Sequence, residues 1–148
     1  MATAAPENRT TIAPSADQSI RLQVVTPERI VIDEWVKQVI VPLPDGEYGI
    51  SKNHDPVIAK LGFGALRLSS PTGHRKYFLN GGFLQLRDNI VVILTDKAVD
   101  AGSLNVSQIE QEIQTTRSKP AHNDTDINTR LMNLEKLRSR LRLAKQTK

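Results

Sequence analysis

The apolar residues of this chain change their spacing near Gly102, and the change divides it into two kinds of structure. Before Gly102, "IRLQVV" sets Ile20, Leu22 and Val24 alternately with Arg21 and Gln23. That period of two belongs to a strand with one buried face. After Gly102, Ile127, Leu131, Leu134, Leu137, Leu141 and Ala144 recur in steps of four, three, three, four and three. Such a stripe belongs to an amphipathic helix. A sequence with the first period cannot bury its apolar side as a helix, nor the second as a strand.

Residues 20–100 therefore read as β structure. "TPE" turns the chain after the first strand, and "RIVIDEWVKQVIVPL" predicts two strands joined around Asp33–Trp35. "FGALRLSS", "HRKYFL", "GFLQL" and "NIVVILTD" follow as short strands. Their separators, "PTG", "NGG" and "RDN", carry the Gly, Asn, Asp and Pro that tight turns require. Asp45-Gly46 is another turn signal. "GFG" at Gly62–Gly64 and "NGG" at Asn80–Gly82 mark bends, bulges or close backbone approaches within strands. Many short strands with no helix between them predict an antiparallel sandwich or barrel.

Beyond Gly102, Asn105 is placed to cap a helix, with Gln108 three residues on as in a capping box. Val106, Ile109 and Ile113 share one face, and Lys119-Pro120 ends the helix. "AHNDTD" is a polar connector, and the second helix is read from Ile127. The expected organisation is a tail over residues 1–19, a β domain over 20–102 and an αα-hairpin over 103–148. The tail, "MATAAPENRTTIAPSADQS", has no apolar run and carries Glu7 and Asp17, so it reads as flexible and not as a signal peptide.

The net charge of +4 conceals a division. Residues 127–148 carry seven basic groups against Glu135 alone, a net +6, which leaves −2 for the first 126 residues. Arg138, Arg142 and Lys145 line one edge of the second helix, and Lys136 and Arg140 another. A helix of this kind can meet nucleic acid, anionic lipid, an acidic protein surface or only water. No aromatic residue lies within it to stack on bases or anchor in a membrane interface. The chain has no Cys, which excludes disulfides and thiolate metal sites and fits a reducing compartment. No run of about 18 apolar residues is present to span a membrane.

"DGEYGISKNHDP", Asp45 to Pro56, is the densest candidate site. His54-Asp55 has the composition of a base with its orienting carboxylate. Adjacent residues of an extended segment point to opposite faces, so the pair reads better as structural. His54, His74 and His122 fall in three separate loops, and a zinc site needs three or four converging ligands. No phosphate-binding loop and no nucleophile elbow occurs. The expectation is a protein that is not an enzyme, with no cofactor and no metal.

These residues also carry a resemblance. "GEYGISKNHDP" resembles the "GExGIxxxHxP" loop of the epsilon subunit of F-type ATP synthases. "LNGGFLQL", "VVILTDKA" and the opening "RLQVVTPERIVI" resemble further stretches of that family, in the same order, over about residues 20–105. The resemblance implies an antiparallel sandwich of about ten strands followed by two helices. It implies a non-catalytic subunit of the central stalk, bound to the gamma subunit and the c-ring, that helps couple proton flow to ATP synthesis. Its helices would inhibit ATP hydrolysis. Its place would be peripheral, on the cytoplasmic face of the bacterial inner membrane, with membrane association only through the complex and no nucleic acid among its partners.

Carried over residue by residue, Gly46, Glu47, Tyr48, Gly49 and His54 form the loop that meets the c-ring and gamma, with Glu47 and Tyr48 at its tip. Lys136, Arg138, Arg140, Arg142 and Lys145 would meet an acidic segment of the beta subunit. Lys52 and Asn53 replace the common "PG" before His54 and add a charge. Some bacterial relatives bind ATP through Ile or Leu followed by Asp, two variable residues, Arg and Ala. Here "LNVSQI" keeps Leu104 but has Asn105, Gln108 and Ile109 in the other places, so the Arg that would hold the nucleotide is missing. The other reading is a free-standing β-domain adaptor that binds nucleic acid through its basic C-terminal helix.

Overall fold

A computed structural model describes residues 19–147 of the chain. The tail expected at the N-terminus lies, apart from Ser19, outside the described residues. The strands are β1 (Ile20–Val25), β2 (Ile30–Val36), β3 (Gln38–Leu43), β4 (Gly46–Ser51), β5 (Val57–Ser70), β6 (Gly73–Arg87), β7 (Ile90–Leu94) and β8 (Ala98–Asp100). A 3₁₀ turn (Ala101–Ser103) leads into α1 (Val106–Ser118) and α2 (Asp124–Thr147).

Among the described residues eight strands are found where about ten were expected, and the difference is one of counting. β5 and β6 have 14 and 15 residues, and each belongs to two layers. The first half of β5 and the second half of β6 join β7, β1 and β2 in layer one. The second half of β5 and the first half of β6 join β3, β4 and β8 in layer two. Counted once per layer, the two bent strands make a five-on-five sandwich. "HRKYFL" and "GFLQL", expected as separate strands, are the two halves of β6. The β1–β7 pair is parallel within an otherwise antiparallel arrangement.

Glycine makes the bend possible. Gly81 and Gly82 have φ of 72° and 120°, values that other residues reach only with strain. A Cβ on Gly82 would stand inside the Leu94 carbonyl group. The "NGG" run is thus both a conformational need and a close backbone approach.

The core lies between the layers. Ile20, Leu22, Val24, Leu84, Leu86, Val91 and Ile93 enter it from layer one. Val39, Val41, Ile50, Leu66, Leu68 and Leu79 enter it from layer two. The joint expected around Asp33–Trp35 falls instead at Lys37. Residues 33–35 stay paired with β1, and the Lys37 N–H reaches the Ser69 carbonyl as the chain crosses between layers.

The hairpin covers the outer face of layer two and builds a second core. Ile109, Ile113, Leu134, Leu137, Leu143 and Ala144 pack there with Phe78, Ala101 and Leu104. α1 begins as expected, with the Asn105 side chain accepting from Gln108 N–H at 3.1 Å. Lys119 is extended, as a residue before proline must be. α2 begins three residues before Ile127, because Asn123 caps it by accepting from Asp126 N–H at 2.8 Å. The connector is closed by Arg130, whose Nη1 donates to the Lys119 carbonyl at 2.8 Å. The expected Leu stripe is corrected at its start: Ile127 and Leu131 are exposed, and Leu143 is buried in the hairpin core.

Candidate functional site

The segment Gly46–Gly49, expected as a loop, is strand. Residues 46–51 pair with β3 through a two-residue turn at Pro44-Asp45. Only Lys52–Pro56 is loop, so about 17 Å of strand separates Gly46 from that loop. Tyr48 is half-buried and does not stand at a tip. Its hydroxyl lies 2.7 Å from His54 Nε2, and the rings meet edge to face. His54 Nδ1 lies 2.7 Å from the Asp55 carbonyl and donates to it. His54 thus ties the loop to β4. Asn53, at φ 62°, gives its N–H to Asn89 Oδ1 at 2.7 Å, which joins this loop to the β6–β7 turn.

Glu47 points away from the loop. It sits on the outer face of layer two, ion-paired with Arg67 across the sheet. Arg67, Lys76 and Arg142 line the same cavity of about 360 Å³. One carboxylate therefore shares a cavity with three cations, and the last turns of α2 supply one of them. The sequence motif and the basic helix, which looked independent, meet here.

The five basic residues singled out on α2, Lys136, Arg138, Arg140, Arg142 and Lys145, do not form one surface. Arg140 lies 3.6 Å from Glu112 of α1, with its guanidinium 5.8 Å from the Phe78 ring centre. Lys145 lies 4.0 Å from Glu110. Lys136 shares a cavity of about 310 Å³ with Phe78, Lys97 and Arg140. Arg138 lies in a shallow cleft with Arg117 and Glu110 of α1. In the folded hairpin, carboxylates of the same chain already answer much of this charge.

Sequence reasoning missed the outer face of layer one. Ile30, Trp35, Ile58, Phe83, Ile90 and Leu94 are all exposed, with Ile58 at 79% and Phe83 at 57%. The ladders place them together, since Phe83 pairs with Leu94, Arg21 with Ile90 and Trp35, and Val25 with Leu94 and Ile30. Adjacent to Phe83 and Leu94, a cavity of about 490 Å³ opens between Pro27 and Asp96. The row Phe83, Leu94, Val25 and Ile30, side by side across four strands with Ile90 and Trp35 flanking Arg21, is an apolar stripe of the kind that a partner covers. The signal was present in "IVVIL", which is apolar at both parities and so predicts a strand covered on both faces.

Sandwich and surfaces together define a binding subunit, with one apolar sheet face open and the opposite face under a helical hairpin. Residues 19–101 match the family of the ATP synthase delta/epsilon chain, beta-sandwich domain, and the chain belongs to that family. It is similar to the ATP synthase epsilon chain of Rhodopirellula baltica, 37% identical over 70% of this chain and 80% of the relative. It is also similar to the sodium ion specific epsilon chain of Propionigenium modestum, 29% identical over 86% of this chain and 95% of the relative. The fold is shared with a chain of the Euglena gracilis mitochondrial ATP synthase. That match has a TM-score of 0.75 and 21% identity, over 82% of this chain and 79% of the other. A chain in the central stalk and c-ring structure of the Tetrahymena thermophila enzyme matches at TM-score 0.68 and 12% identity, over 84% and 95%. No helix among the described residues is long and apolar enough to cross a membrane.

Proposed function

We propose that this chain is the epsilon-type, non-catalytic subunit of the central stalk of an ATP synthase. On this reading it binds the gamma subunit and the c-ring, helps couple ion flow to ATP synthesis, and restrains ATP hydrolysis with its two helices. Its site is peripheral, at the cytoplasmic face of the bacterial inner membrane, reached through the complex.

The open apolar face of layer one carries the reading. It holds six exposed large apolar side chains that a free-standing protein would pay to keep in water. The gamma subunit is the partner assigned to this face. The end of the sandwich formed by Lys52–Pro56 and the β6–β7 turn is assigned to the c-ring, with His54 holding its shape. Lys136, Arg138, Arg140, Arg142 and Lys145 remain the residues assigned to an acidic segment of the beta subunit. Arg140 and Lys145 become available to it when the hairpin opens and Glu112 and Glu110 release them. The names of the curated relatives support the assignment to an ATP synthase.

The nucleic-acid reading loses its footing, because the basic residues are dispersed and partly paired within the chain. Co-purification separates the two: gamma and c subunits in one case, RNA or DNA in the other. A Phe83→Glu variant retains the sandwich core and loses gamma. Retention of gamma by this variant would move the partner to another face.

A further inference from the structure

The open face of layer one does not stop at the edge of its sheet. Lys60 pairs with Phe83 on that face. Lys60 also lines a groove of about 620 Å³ that passes the glycine bend and reaches the first half of α2. Leu61 and Phe63 form part of its floor, and Leu131 and Met132 of α2 form the far wall. Leu131 and Met132 are each 54% exposed, although Leu134 and Leu137 farther along the helix are buried. The β3–β4 turn lies close against the floor, since a Cβ on Gly62 would stand 3.0 Å from the Leu43 carbonyl and Pro44 nitrogen. A side chain at Gly62 would push the β3–β4 turn away from β5 by a few tenths of an ångström.

We propose that the subunit covering the open sheet, gamma on the reading above, continues round the glycine bend. There it seats an apolar segment against Leu131 and Met132 while the hairpin is folded. The inference rests on that reading. Continuity selects the occupant, since Lys60 belongs to both surfaces and no strand or helix of the described chain separates them. The rim bears Lys60 and Lys136 against Glu135, so the segment that fits is apolar with a carboxylate beside it. One partner then grips both the sandwich and α2. A ligand that contacts the folded arrangement better than the open one shifts the population toward it. Gamma would thereby hold the hairpin down as well as hold the sandwich.

The test uses the full chain, titrated into a complex of alpha, beta and gamma subunits that lacks it. The hairpin is tied down by Gly64→Cys with Ser139→Cys. A Cβ on Gly64 lies 3.9 Å from Ser139 Oγ and 3.1 Å from Pro42 Cβ at φ 155°, so loss of both free thiols and an unchanged far-UV spectrum are checked before the oxidised chain is titrated; the parent chain has no Cys. In the locked chain, Leu131→Glu with Met132→Glu is expected to raise Kd about tenfold or more, with Tm unchanged because both side chains are half in water. Thr125→Glu with Thr129→Glu, the same added charge on exposed positions of α2 outside the groove, is expected to leave Kd as it was. Phe83→Glu raises Kd in either case. If Phe83→Glu weakens binding and the α2 pair does not, the inference falls and the sheet assignment stands. If neither weakens it, both fall. A loss confined to the reduced, unlocked chain would assign Leu131 and Met132 to the opened hairpin and overturn the proposal.

Discussion

The Tyr48 hydroxyl lies 2.7 Å from His54 Nε2, and this bond fixes how β4 meets the loop that follows it. Nδ1 faces the Asp55 carbonyl, so Nδ1 carries the proton and Nε2 accepts from the hydroxyl. A histidine with one nitrogen engaged by β4 and the other by its own loop is a structural residue. Tyr48→Phe is expected to cost about 1 kcal/mol, read as a drop of a few degrees in Tm. In a His54→Ala background the same substitution should cost much less, because the partner is gone. Equal costs in both backgrounds would show that the bond is not made in solution.

Two glycines of the family-like motifs should behave in opposite ways. Gly82 has φ 120° and no room for a Cβ against Leu94. Gly82→Ala is expected to destabilise by about 3 kcal/mol or more, since strain and overpacking add. Gly49 has only the Gln38 side chain near its missing Cβ, at 3.7 Å. Gly49→Ala should fall within about 1 kcal/mol of the parent. Urea unfolding of the two variants checks both.

This contrast shows what the sequence could reveal. Both periods were legible because burial on one face leaves a direct trace, and Ile20, Leu22, Val24, Ile109 and Ile113 are all buried as read. The bend in β5 and β6 was legible only as glycine out of place. Whether "NGG" ends a strand or bends one depends on Leu94, which is twelve residues away in sequence and in contact in space. The basic residues of α2 were visible, but the partners of Arg140 and Lys145, Glu112 and Glu110, lie on another element. Charge spacing along one helix cannot report that. The loop motif misled because Gly-Glu-Tyr-Gly reads as turn material, whereas pairing with β3 holds it extended.

Acid should weaken one named pair. The hydrogen bond from Arg21 holds the Asp33 carboxyl below its ordinary value, with Arg21 Nε 3.1 Å from Asp33 Oδ1. A group whose folded pKa is depressed stabilises the fold above its unfolded pKa, about 3.9, and loses that contribution as pH falls through the folded value. Stability of the parent should therefore decline below about pH 4 more steeply than that of Asp33→Asn. The pair is exposed, so the difference is small and shrinks in high salt. Thermal melts at descending pH, at low and high ionic strength, give the measurement.

ATP is not expected to bind at the start of α1. Asn105 is committed to capping the helix, and Ile109 is buried in the hairpin core where the nucleotide-binding relatives place Ala. Gln108, in the place of the Arg, brings no positive charge to a phosphate. A calorimetric titration should show no saturation in the micromolar range, and micromolar affinity would refute the reading.

On the proposed function, the sandwich joins this chain to the rotor and the hairpin restrains the motor. The two cores are separate, one between the layers and one under the helices, so the sandwich keeps its own packing without residues 104–148. The most direct measurement compares ATP hydrolysis by the reconstituted complex carrying the full chain with that of the complex carrying residues 1–103. The account predicts equal assembly and higher hydrolysis for the shortened chain. Equal hydrolysis in the two complexes, with assembly intact, would contradict it.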